Sequence, residues 1–116
     1  MLASVSKLFV ATAIMQLEEN ELMNLDTDVN SYLLNNLTIQ HPEYPDDSVT
    51  VRMLLNHTSG LHDRWSALNK WISRGDFPIP IDSLLRGYFT PGGTWYQSTN
   101  FGEKPGTSCK YANMQI

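Results

Sequence analysis

The sequence predicts a mainly helical chain, and three observations predict it. An apolar stretch at the start repeats with helical spacing. Short apolar clusters further on lie between residues that cap and stop helices. No segment shows the apolar–polar alternation of a half-buried strand, and no internal repeat stands out.

The opening MLASVSKLFVATAIMQLEENEL puts Val10, Ile14 and Leu17 at i, i+4 and i+7, with Phe9 and Ala13 beside them. That spacing makes one apolar face of a helix, either amphipathic or fully buried. It is expected to begin near Ser4 and to stop at a left-handed Asn20. An apolar opening also suggests a signal peptide, but the details disagree. Lys7 is the only charge ahead of the apolar run, Thr12 and Gln16 interrupt it, and Glu18, Glu19 and Glu21 follow directly.

Asp26 to Leu34 reads as a loop entering a short helix. Its Asp26-Thr27-Asp28-Val29-Asn30 start resembles a calcium loop. However, Ser31 stands where that loop requires glycine and Leu37 where it requires glutamate, so the calcium reading is rejected. Pro42 to Ser48 is a polar connection. Thr50 is placed to cap a helix from Val51 to Asn56, and the turn His57-Thr58-Ser59-Gly60-Leu61 follows. Asp63 is the expected cap of another helix, with Trp65, Leu68 and Ile72 on one face and Gly75 closing it. Pro78 and Pro80 mark a rigid link. Asp82 or Ser83 opens a last short helix through Leu84, Leu85 and Tyr88. From Pro91 to Gly106 the chain is rich in Gly, Pro, Ser and Thr and reads as a long loop.

Composition narrows the function classes. The 116 residues are 41% hydrophobic and 17% charged, ordinary for a globular chain with one modest core. The net charge of −4 comes without a basic stripe, which argues against a nucleic-acid partner. Cys109 is the single cysteine, so neither an internal disulfide nor a cysteine zinc site is available. No apolar run is long enough to span a bilayer. The sequence assigns no compartment, and nothing in it calls for a metal or a cofactor.

Ser4 and Lys7 carry the first chemical suggestion. On a helix, i and i+3 are neighbours, with Cβ atoms roughly 5–6 Å apart. A serine hydroxyl is a poor nucleophile until a base takes its proton. A lysine can be that base where burial and the positive end of a helix dipole disfavour an ammonium. Taken alone, S-x-x-K is more often a capping serine and a solvated lysine.

Three segments in order give the pattern its meaning. ASVSKLFVATAIMQLEENELMNLDTDV resembles the active-site helix and following loop of the serine β-lactamase-related family, which includes class C β-lactamases, D-alanyl-D-alanine carboxypeptidases and related esterases. VTVRMLLNHTSGL is similar to the short helix and H-T-S-G-L turn of that family. KPGTSCKYANMQI resembles its P-G-T…Y-x-N segment. The resemblance implies that Ser4 is the acylated nucleophile and Lys7 the lysine that activates it. It implies that Tyr111 shuttles a proton to the leaving group and that Asn113 hydrogen-bonds the substrate and the lysine. Whether Lys7 or Tyr111 is the main base stays open, because the two titrate as a coupled set.

Tyr96 competes for the role of Tyr111, since Pro91-Gly92-Gly93-Thr94-Trp95-Tyr96 also looks like P-G-T…Y. Ser98 lies two residues after Tyr96, whereas Asn113 lies two after Tyr111, which favours Tyr111. Lys104-Pro105-Gly106-Thr107 resembles the K-T-G strand motif but precedes Tyr111 and contains a proline, so it reads as a turn. The implied fold is the helical lobe of the β-lactamase/transpeptidase-like α+β fold. The strands that flank it in the family, and the K-T-G or H-x-G motif, are not in this sequence. Residues 1–116 are therefore expected to be a single partial domain.

Other residues receive milder readings. His57 is expected to hold backbone in its turn, and His62 to lie at the surface. Cys109 reads as an idle or buried thiol, and Trp65, Trp71 and Trp95 as packing residues, with Trp95 able to border a cleft. The leading functional expectation is a serine hydrolase that transfers an acyl group from an amide or ester (a β-lactam, a D-alanyl peptide or a small ester) through Ser4. Its expected partners are a small-molecule or peptide substrate and a β-sheet segment or protein over the uncovered apolar face. The alternatives are a non-catalytic remnant or partner-binding helical module, and an unrelated helical domain.

Overall fold

The computed structural model describes residues 3–72, 75 and 78–107, and those residues are mainly helical. A 3₁₀ turn at Ala3–Val5 runs into the first helix, α1, at Ser6–Glu19. Three short helices follow: α2 at Val51–Leu55, α3 at Trp65–Leu68 and α4 at Ile81–Phe89. Further 3₁₀ turns lie at Val29–Ser31, Asn69–Trp71 and Ser98–Asn100. Extended pairing among the described residues is confined to the antiparallel bridges Asp28 to Thr50 and Leu61 to Phe101. No described helix is long and apolar enough to cross a membrane.

The helix ends follow from particular residues. Thr50 caps α2, its hydroxyl accepting from the Met53 N–H at 3.2 Å. α1 stops one residue later than the sequence suggests. Asn20 stays at φ −87°, and Glu21 takes the left-handed conformation at φ 57°. Leu22 N–H then donates to Leu17 O and Glu21 N–H to Glu18 O, both at 2.9 Å, so the last carbonyls are satisfied. Asn20 contributes through its side chain, which donates to Gln16 O at 2.7 Å. The phase of α3 also differs. Trp65 and Ile72 are exposed, whereas Ala67 is buried and Leu68 and Trp71 pack on the core. Asp63 does not cap α3, which starts after Arg64 without a side-chain cap.

Two apolar clusters meet at α2. Ile39, Leu61, Ala67, Tyr88, Phe89 and Phe101 form the larger one. Its aromatic rings touch edge to face, with Tyr88 and Phe89 centroids 4.9 Å apart and Phe89 and Phe101 5.5 Å apart. The smaller cluster is Leu25, Val29, Val49 and Val51. Leu54 packs against both, so α2 joins them and sets where the following turn emerges. α1 contributes Ile14 to the smaller cluster but buries none of its residues fully. Leu8 is 69% and Phe9 67% exposed, so apolar side chains stand open on α1, which is not the fully buried helix that the sequence allows.

The turn His57 to Leu61 is tied to the distant segment 100–106. Gly102 N–H donates to Gly60 O and Gly106 N–H to Thr58 O, both at 2.8 Å, and His62 N–H donates to Asn100 O at 2.9 Å. Gly60 has φ +75°, and a Cβ there would collide with the Glu103 carbonyl oxygen. Gly60→Ala is therefore expected to destabilise the chain by more than about 1 kcal/mol, read as a lower urea midpoint, because both the backbone conformation and the close approach oppose it.

Candidate active site

The 3₁₀ turn and α1 form one continuous helical segment through Val5, whose dihedrals are φ −63° and ψ −28°. Ser4 and Lys7 lie one turn apart on it. Ser4 is exposed and Lys7 half-buried. Tyr111, Asn113 and Cys109 lie outside the described residues.

The H-T-S-G-L turn is built from the end of α2 outward. His57 takes φ 61°, and Thr58 N–H reaches back to Met53 O at 2.8 Å, closing the helix. His57 shapes this turn through its left-handed backbone, while its Nδ1 is buried without a hydrogen-bond partner among the described residues. Ser59 is fully buried, and its hydroxyl accepts from the Leu61 N–H at 3.3 Å.

Residues 62–64 are pinned from two sides. Tyr88, on α4, donates its phenol to His62 O at 2.8 Å and accepts the Arg64 N–H at 2.8 Å. Arg64 Nε donates to Asn100 Oδ1 at 2.8 Å, and the same guanidinium reaches Trp95 O. The fully buried Asn100 amide donates to Tyr88 O at 2.8 Å and to Trp95 O at 3.0 Å. His62 is half-buried and paired with Glu103 at 3.2 Å, in place of the surface position expected for it. A second histidine holds the same segment, residues 100–106. His41, 1% exposed, accepts the Glu43 N–H at Nδ1, which leaves Nε2–H to donate to Gly102 O at 3.0 Å.

Asp63 lies between these pinned residues and is half-buried. Burial pushes its carboxyl above the ordinary range, while the positive charges of Lys7 and His62 pull the other way. The Tyr88 phenol is also pushed up, first by burial, with the Arg64 N–H and charge opposing and the Asp63 charge adding.

The loop from Pro91 closes toward the same place. Lys104 to Thr107 forms a turn, with Thr107 N–H donating to Lys104 O at 3.1 Å, and Pro105 is buried. Lys104 also pairs with Asp47 at 3.4 Å. Tyr96 and Trp95 pack against the larger cluster, where Trp95 lies edge to face with Trp71 at 5.3 Å. Both rings are thereby committed to packing. Asp26 and Asp28 are also engaged. Arg52 holds Asp26 through bonds of 2.7 and 3.0 Å, and this hydrogen-bonded partner keeps the Asp26 carboxyl below its ordinary range. Asp28 accepts the Asn30 N–H at 2.8 Å. Among the described residues no group of three or more His, Cys, Asp and Glu side chains could hold a metal ion.

The structure thus brings the H-T-S-G-L turn and residues 100–106 to one place. The Beta-lactamase family model matches residues 1–116. The chain belongs to the Beta-lactamase family. It is also 33% identical over 108 residues to penicillin-binding protein 4* of Bacillus subtilis (strain 168), a stretch covering 86% of this chain and 22% of that protein. The chain therefore spans about a fifth of the length of that relative. No solved structure matches it. As a member of this serine hydrolase family, the chain is read as the helical lobe of the β-lactamase fold.

Sequence reasoning took Asp63 for a helix cap and missed the pinning by Tyr88, Asn100 and His41, which becomes visible only once distant segments meet. Tyr88→Phe removes the phenol that serves both His62 O and the Arg64 N–H. The expected loss is about 1–3 kcal/mol of stability by urea unfolding, because buried polar groups are left without a partner.

Proposed function

We propose that the chain carries the acyl-transfer site of a serine hydrolase, with Ser4 as nucleophile and Lys7 and Tyr111 as the coupled proton-transfer set. Asn113 hydrogen-bonds the substrate. The reaction is a two-step acyl transfer from an amide or ester. The Ser4 hydroxyl loses its proton to the base as its oxygen bonds to the substrate carbonyl carbon. The leaving group departs with a proton, and water then hydrolyses the acyl-serine. Candidate substrates are a β-lactam, a D-alanyl peptide or a small ester. The name of the Bacillus relative favours a penicillin-reactive serine.

The observation that carries this reading is the convergence of separated segments. Gly102 and Gly106, on the approach to Tyr111, bond to the turn at Thr58 and Gly60. Residues 1–116 form, in this reading, one partial domain of a larger α+β unit.

A second observation supports a partner for α1. Leu8, Phe9 and Leu22 are 69%, 67% and 71% exposed. Apolar side chains this exposed fit a β-sheet segment or protein partner laid over them.

Intact mass tests the acyl-transfer reading. The chain and its Ser4→Ala variant are incubated with a fluorophosphonate and, separately, with a penicillin. One adduct on the parent chain and none on Ser4→Ala is expected. No adduct from a parent chain shown to be folded by circular dichroism would overturn the reading for this chain.

A further inference from the structure

We propose that Asn36 accepts an N-linked glycan when the chain is exported through an N-glycosylating compartment, because an exposed turn presents it while its neighbours enter the core. The inference is independent of the chemistry at Ser4. Asn36-Leu37-Thr38 and Asn56-His57-Thr58 both match the Asn-x-Ser/Thr acceptor pattern. The fold treats the two differently.

The first lies at the tip of a turn. Asn35 and Asn36 both take the left-handed conformation, at φ 58° and 57°, and Leu37 N–H donates to Leu34 O at 3.1 Å. Two left-handed central residues mark a type I′ turn, which asparagine tolerates. The chain then alternates. Leu37 and Ile39 are buried, while Asn36, Thr38 and Gln40 are exposed. The two side chains that define the acceptor pattern are therefore both open to solvent. The turn is held from beside. Asn35 donates to Asp82 at 3.2 Å, Arg86 donates to Asn35 O, and Asn30 clamps Ile39 through bonds of 2.8 and 2.9 Å. None of these bonds uses the Asn36 side chain, so a bulky group on it breaks none of them.

The second match is tied into the H-T-S-G-L turn. The Thr58 hydroxyl donates to Asn56 Oδ1 at 2.6 Å. Thr58 N–H donates to Met53 O and Thr58 O accepts the Gly106 N–H, both at 2.8 Å. His57 between them is left-handed, with its Nδ1 buried. By contrast, no hydrogen bond among the described residues engages the Asn36 amide or the Thr38 hydroxyl. In the transfer, Asn36 Nδ2 bonds to C1 of the first sugar of an oligosaccharide carried on a polyprenyl diphosphate. The C1–O bond breaks, the diphosphate leaves with its electron pair, and Nδ2 gives up one proton to a base of the transferring enzyme. A glycan is bulky and hydrophilic, so it needs a position that stays at the surface after folding. Asn36 is such a position.

Site mapping tests the inference. The full chain, behind a cleavable secretory leader, is produced in cells that N-glycosylate and is recovered from the medium. An N-glycosidase releases its glycans in heavy-oxygen water, which marks each former glycan site, and peptide mass spectrometry locates the mark. The parent chain should carry a glycan, with the mark at Asn36. Asn36→Gln and Thr38→Ala should each lose that glycan, and Asn56→Gln should keep it. A secreted parent chain with no mark at Asn36 overturns the inference, whether it carries no glycan or one at Asn56 alone. Fluorophosphonate labelling of Ser4 is read separately, so the acyl-transfer reading and the glycan site can each fail without the other.

Discussion

The described structure depends on the backbone lacing between residues 58–62 and 100–106. Three hydrogen bonds of 2.8–2.9 Å carry it. Gly60 makes the contact sterically open, since any Cβ there would strike the Glu103 carbonyl. His41 and His62 close it from the sides, one on Gly102 O and the other on Glu103. Gly102 lies so near the His62 ring that a side chain in its place would displace it. Buried polar groups need partners, and here they find them across about forty residues of chain. That requirement, more than apolar burial, fixes the long loop after Pro91 against the short helices.

The loop has little regular structure to hold it. Its order comes from Asn100 and Arg64, which satisfy carbonyls at Tyr88 and Trp95 that no helix or sheet pairs. Aromatic packing supplies the rest, through Trp95 against Trp71 and Tyr96 and Phe101 near each other at 6.2 Å. A polar network of this kind favours one arrangement, because a partial rearrangement leaves several groups unpaired together. It also explains why the approach to Tyr111 is placed beside the H-T-S-G-L turn.

Local signals were legible in the sequence where they act locally. Thr50 caps α2 and the glycine–proline-rich stretch is a loop, because capping and turn chemistry need only neighbours in the chain. The left-handed stop of α1 was misplaced by one residue, since Asn20 spends its amide on Gln16 O while Glu21 takes the turn. The face of α3 was misassigned because a four-residue helix is too short for periodicity to set its phase. Ala67, not Trp65, is the residue the core admits. The S-x-x-K and H-T-S-G-L segments could be read as motifs. The Tyr88 clamp on His62 and Arg64 could not, because it joins segments that meet only in the fold.

α1 poses the remaining physical question of the site. It carries Lys7, continues directly from the 3₁₀ turn that holds Ser4, and buries none of its side chains fully, and Ile14 is its contribution to a cluster. A helix of 14 residues has little stability of its own in water and takes most of it from packing. Its far end is secured by the Leu17 and Glu18 carbonyls and by the Ile14 contact. Its near end, where a nucleophile would have to be held to a fraction of an ångström, has Leu8 and Phe9 open to solvent. Reactivity at Ser4 should therefore depend on whatever covers Leu8 and Phe9, since that cover would both exclude water from Lys7 and fix the helical segment that carries the serine.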